Sequence, residues 1–324
     1  GTPTHVQGLV NTYPQVNGVI IDGPGENHYE LAWHPGCELF EIRDGERGLF
    51  SSLGFDIERL ERGINHLSER FHNLTPDLVR YHAPGGMLAG LNLFDIKEDA
   101  LDWLRARQEK SLKSWQQARA DLDQVDRYVE LGGIPRITSF SSLTGQNYQQ
   151  MPPYFDYIFP KHYYWHRGFD GMYGTVARWV QQIQTWNSSL SEAQCWKVLS
   201  AWIGIRLPEV ECLADMELGF PQAFFDEVVQ EETRRALAAV SDPEKILPWV
   251  DTGRMPHGGD PMTAGDLYHI LQASAAAGLQ RFLFHNHAHL TAAEWAVISR
   301  MCGKPWDENP DGYWPPATPK PSTY

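Results

Sequence analysis

Apolar and polar positions along this chain fall into two kinds of block, and the two kinds take turns. In the C-terminal half, Ile246, Leu247, Trp249 and Val250 form a short apolar run that ends in Asp251 and is followed by Gly253. After a Gly- and Pro-rich loop, Thr263 with Asp266 three residues on has the form of a capping box. Leu267, Ile270, Leu271 and Ala275 then recur at helical spacing, and Gly278 closes the block. Residues 281–284 form the next apolar run and lead into His285-Asn286-His287-Ala288-His289. Thr291 and Glu294 make a second capping box before a helix carrying Trp295, Ile298 and Met301, stopped by Gly303. Strand, loop, helix, repeated with short connections, predicts a parallel sheet wrapped by helices.

The same rhythm extends upstream. Strands are expected over 213–218, 157–160, 134–140 and 16–22, and 80–91 is one place where a further strand could lie. Helices are expected over 221–240, with Pro221 in the first turn, over 173–185, and as a helix tail over 6–13. Residues 43–127 break the rhythm: 57–71 and 98–125 read as helices, the second long and charged. The expected architecture is a (β/α)8 TIM barrel over 1–303, its first strands lacking from the sequence or unrecognised. A helical insertion is expected over about 43–127, and an irregular Pro- and Trp-rich tail over 304–324.

Composition narrows the partners. At 324 residues and 42% hydrophobic, the chain suffices for one large α/β domain. It has no apolar run of about 18 residues or more, so no membrane-spanning helix is expected. A net charge of −14 argues against nucleic acid, because little here would neutralise phosphates. The 12 Trp, 13 Tyr and 14 Phe exceed the usual needs of a core and suit stacking against the C–H faces of sugars. Cys37, Cys195, Cys212 and Cys302 show no CxxC spacing, so neither a zinc knuckle nor a redox pair is expected. The first residues lack the pattern of a signal peptide, but the chain starts at Gly1 rather than Met, and its compartment stays open between cytoplasm and secretion with a removed leader.

In such a barrel the chemistry sits where strands end. The expected strand ends supply Asp22, Glu26 and His28, then Lys161, His162, Tyr163 and Trp165, then Glu217, then Asp251, and finally His285, Asn286 and His287. Glycoside hydrolysis requires two carboxyl groups across the scissile bond, one as acid and one as nucleophile or base. Asp22, Glu26, Glu217 and Asp251 are the candidates. Glu217, flanked by Met216 and Leu218, is expected to be buried and to have a raised pKa suited to the acid. His28, Lys161, His162, Tyr163, Trp165, His285, Asn286 and His287 are candidates for substrate hydroxyls and sugar faces. No resident cofactor or metal is expected.

The run Val19-Ile20-Ile21-Asp22-Gly23, preceded by Tyr13-Pro14 and Gly18, resembles glycoside-hydrolase-like (β/α)8 barrels, as do Asp251 and the strand end Phe284-His285-Asn286-His287. The resemblance implies hydrolysis of an oligo- or polysaccharide by a pair of carboxyls. It departs at one point: the Asn-Glu order of the acid in the commonest clan is reversed here as Glu26-Asn27. Two alternatives stand beside it. One is a metal-dependent sugar isomerase or epimerase, in which Glu217, Asp251, His285 and His287 hold a divalent ion and Lys161 or His162 moves the proton. The other is a barrel that binds glycans without catalysis.

Overall fold

A computed structural model describes residues 5–28, 39–168, 171–251, 263–279, 281–285 and 290–302. Its elements in chain order are α1 (His5–Thr12), β1 (Gly18–Asp22), α2 (Arg47–Ser52), α3 (Ile57–Phe71), α4 (Pro76–His82), α5 (Gly86–Leu93) and α6 (Glu98–Leu122). Then come β2 (Glu130–Ile134), α7 (Thr138–Thr144), β3 (Tyr157–Ile158), β4 (Lys161–His162), α8 (Met172–Trp186), α9 (Glu192–Ile203) and α10 (Leu213–Glu217). The chain continues through α11 (Gln230–Ala238), β5 (Trp249–Asp251), α12 (Ala264–Ala276), β6 (Leu283–His285) and α13 (Ala292–Cys302).

Among the described residues all strand pairings are parallel. β1, β2 and β3 form one three-stranded sheet in that order, and β4, β5 and β6 form a second. The two sheets meet along a single extended stretch, since β3 and β4 are separated only by Phe159 and Pro160. Ile158 bridges to Ile246, and the Trp249 amide donates to the Pro160 carbonyl at 2.9 Å. Pro160 has no N–H for the ladder, which gives a local reason for the break.

The expected eight-stranded barrel is not present. Closure requires every strand to pair on both sides, whereas among the described residues there are six short strands, and β1 and β6 each pair on one side only. The architecture is a helix-rich α/β arrangement. Two expected strands are helices: 213–218 became α10, and 80–91 became parts of α4 and α5. Leu213-Ala214-Asp215-Met216-Glu217 holds no β-branched residue and four strong helix formers, and the Asp215 carboxylate accepts the amides of Glu211 and Cys212 at its start. A short apolar run does not distinguish the two states by itself.

The strand expected at 134–140 lies earlier, at β2, because its core is Gly132-Gly133 rather than a branched run. A Cβ on Gly132 would stand 2.4 Å from the Phe159 ring, and one on Gly133 would stand 2.8 Å from the Phe155 ring. The glycines let the aromatic rings lie directly on the strand. Helices 57–71, 98–125 and 173–185 appear within a few residues of expectation as α3, α6 and α8. Both C-terminal capping boxes form: Asp266 accepts the Thr263 amide at 2.8 Å, and Glu294 accepts the Thr291 amide at 2.7 Å. The helix expected over 221–240 holds a widened π turn at Phe224–Val229 before α11.

Among the described residues five α-helices, α2 to α6, lie between β1 and β2. Amphipathic α3 turns Leu60, Gly63, Ile64, Leu67 and Phe71 inward, and Gly63 lets it close on α6, where a Cβ would meet the Asp99 carbonyl carbon at 2.4 Å. The largest apolar core gathers α8, α9, α12 and the Phe224–Phe225 turn around Trp165, Trp179 and Val250. Among the described residues no helix is long and apolar enough to cross a membrane. The tail 304–324 lies outside the described residues.

Candidate functional site

Parallel pairing puts all strand C-termini on one edge. The register sets Asp22 against Ile134, His162 against Val250 and Asp251 against His285. Four expected site residues therefore share this edge: Asp22 on β1, His162 at the end of β4, Asp251 on β5 and His285 on β6. Lys161 precedes His162 and extends toward β1.

Lys161 Nζ lies 2.7 Å from Asp22 Oδ1; the Lys161 side chain is 4% exposed and that of Asp22 is 67% exposed. Because β2 lies between β1 and the extended stretch containing β4, this pair spans two strand intervals, about 10 Å of sheet. A long cationic side chain such as lysine's is needed to cover that span. Burying an ammonium is costly without a carboxylate or comparable acceptors, so the fold holds Lys161 and leaves the Asp22 carboxylate facing water.

Glu26 does the opposite. A tight turn with Gly23 and Gly25 at φ +57° and +61° carries it back beneath the strand end, and the Gly23 amide donates to the Ile134 carbonyl at 3.1 Å. Its carboxylate accepts from Arg136 Nε at 2.7 Å, with side-chain exposures of 8% and 1%. Arg136 is the chief residue missed by sequence reasoning. It lies two positions past β2, and the strand misplaced to 134–140 hid it inside an expected strand.

His162 is buried, and desolvation lowers its pKa to about 3, so it is neutral at ordinary pH. Its ring lies 5.3 Å from that of Tyr164, whose hydroxyl is held well above its usual pKa by burial and by the Glu232 carboxylate. Tyr163 stacks on His285 at 5.5 Å and 24°, and Trp249 meets the other side of that imidazole at 5.3 Å edge-on. His166 also touches Tyr163, with ring centroids 5.6 Å apart. Tyr163, expected to face a sugar, is instead buried at 5% exposure against half-buried His285, and Trp249 and His166 pack on the pair.

Glu217 does not end a strand. It closes α10 with its side chain 52% exposed, 2.8 Å from Arg167, and accepts the Tyr173 hydroxyl. Arg167 is the main cause that lowers its pKa, with Tyr173 second, so the expected raised pKa is reversed. Arg167, Tyr173, Arg178 and Glu217 line a separate shallow groove of about 370 Å³. Trp165 is core: 2% exposed, it stacks on Phe225 at 5.7 Å and meets Phe220 and Phe224 edge-on. His28 contributes a carbonyl that accepts from Arg107 at 3.2 Å. Asn286 and His287 lie outside the described residues, and of Asp251 only the backbone is described.

Among the described residues no group of three or more His, Cys, Asp or Glu side chains could hold a metal ion. The ion set of the isomerase alternative also loses Glu217 to Arg167. Compared with known proteins, the chain matches no family model, no curated protein and no solved structure.

Proposed function

We propose that this chain hydrolyses a glycosidic bond of an oligo- or polysaccharide at the C-terminal edge of its parallel strands. The observation that carries the reading is the Asp22–Lys161 pair, a water-facing carboxylate held by a buried ammonium. Asp22 is the nucleophile or base of this reading, and Asp251, across the edge on β5, is the acid. Asp22 takes one proton of the attacking water, the remaining hydroxyl bonds to the anomeric carbon as its bond to the leaving oxygen breaks, and the acid's proton goes to that oxygen. His285, half-buried at the edge, supplies hydrogen-bonding nitrogens for the sugar, and Tyr163, buried at 5% exposure and stacked on it, fixes the plane of the imidazole. β1 and β5 are three strand intervals apart, about 14 Å on a flat sheet. That backbone spacing lies far outside the roughly 5 Å of retaining enzymes and nearer the roughly 6.5–9.5 Å of inverting ones.

The test is a panel of polysaccharides and aryl glycosides assayed with the wild type, Asp22→Asn and Asp251→Asn. Each variant is expected to lose activity by at least about 100-fold with an unchanged circular dichroism spectrum. An inactive wild type across the panel, or an active Asp22→Asn, defeats the reading.

A further inference from the structure

A second site of different chemistry lies among the helices. Parts of α4, α5, α6 and α9 enclose an open groove of about 860 Å³, within the size range of small-molecule sites. Its floor includes Leu91, Phe94, Leu104 and Trp202. The apolar surface continues outward over Met87, 78% exposed, onto Leu88 and Tyr81 at 70% and 79%. The sequence of α5, GMLAGLNL, is apolar nearly all round, so packing one side on the core leaves the other side uncovered. Patches of this kind mark binding sites more often than chance exposure does.

The charge around this groove is opposite to that of the chain. Every charged residue lining it is a cation, namely Arg80, Lys197 and Arg206. All three are exposed, although acidic residues outnumber basic ones 41 to 27 in the whole sequence. Arg80 also stands 3.5 Å from Asp77 on the open side of α4. We infer that the groove binds a single-chain amphiphile with an anionic head, a free long-chain carboxylate. The tail lies on Leu91, Phe94, Leu104 and Trp202, and the head group meets Lys197 and Arg206. The concave shape selects one chain rather than a flat bilayer, and the rim selects an anion over a neutral or cationic head.

Decanoate below its micelle threshold is titrated into the full chain by calorimetry, beside decyltrimethylammonium, which pairs the same chain with the opposite charge. Two variants separate tail from head. Gly90→Phe fills the groove from within α5: a Cβ there meets only the Ala201 carbonyl oxygen at 3.9 Å, and replacing a mid-helix glycine favours the helix. Lys197→Glu with Arg206→Glu reverses the exposed rim and leaves the core untouched. Saturable decanoate binding is expected, abolished by Gly90→Phe and weakened at least about tenfold by the charge reversal and for the cationic analogue. Absent or equal binding of the two amphiphiles overturns the inference, as does full decanoate binding by either variant. So does a wild-type dimer that Gly90→Phe renders monomeric, since a second copy then covers the groove.

Discussion

Two ion pairs stand four residues apart around the end of β1, and in each the cation is buried. In Glu26–Arg136 the carboxylate is buried as well, at 8% exposed; in Asp22–Lys161 it is open to water at 67%. The first pair can only hold chain segments together, because no substrate reaches it. The second presents charge to solvent from a rigid, dry mount, the arrangement that chemistry on a polar substrate requires. Burial of the carboxylate itself, rather than its presence beside a buried cation, separates the roles.

The comparison is broken most directly by cutting each pair. Arg136→Ala strands Glu26 in the interior and is expected to cost about 3–5 kcal/mol in urea unfolding. Asp22→Asn keeps an amide oxygen and water beside Lys161 but removes the charge that balances its buried ammonium, and is expected to cost about 1–3 kcal/mol, less than Arg136→Ala. Equal losses for the two would erase the distinction.

His162 extends the dry side of the comparison. Its folded pKa of about 3 lies below the unfolded value near 6.5, so the unfolded chain takes up a proton that the folded chain refuses. Its contribution to stability is complete above about pH 6.5 and falls by roughly 1.4 kcal/mol per pH unit on acidification toward about 3. Urea titrations at pH 7.5 and 5.5 are expected to show this slope in the wild type and a shallower one in His162→Gln; parallel slopes would place His162 in contact with water.

The smallest effect is expected at Glu217, a third ion pair exposed on both sides. Its carboxyl pKa is lowered chiefly by Arg167, so the contribution exists above the unfolded pKa and disappears as pH drops through the lower folded value. Half-exposure screens it, and Glu217→Gln is expected to shift stability by less than about 1 kcal/mol at pH 7. A glycosidase activity that disappears with Glu217→Gln at unchanged stability would move the active carboxylate to α10's groove and away from the sheet edge.

Much of the site was legible because β-strands end where their apolar runs end. Reading past such runs points to Asp22, Lys161, His162 and His285 as candidates, and the sheet brings them to one edge, whereas Tyr163 from the same run is buried. Arg136 escaped because Gly132-Gly133 carries no apolar signal, and Trp165 was misread because a strand-end aromatic can turn toward the core as easily as toward solvent. Glu217 was assigned to a strand because five residues give too few periods to distinguish helix from strand.

By itself the sequence determined the local elements: β1, the amphipathic α3, the capped starts of α12 and α13, and the parallel alternation of strands with helices. These depend on side-chain period and on partners within a few residues. Only the tertiary structure decided that the strands form an open pair of sheets rather than a closed barrel, that Lys161 crosses β2 to meet Asp22, and that Glu26 is sealed under Arg136. Those outcomes depend on which distant side chains exclude water from which charge, and no short stretch of chain encodes its own neighbours.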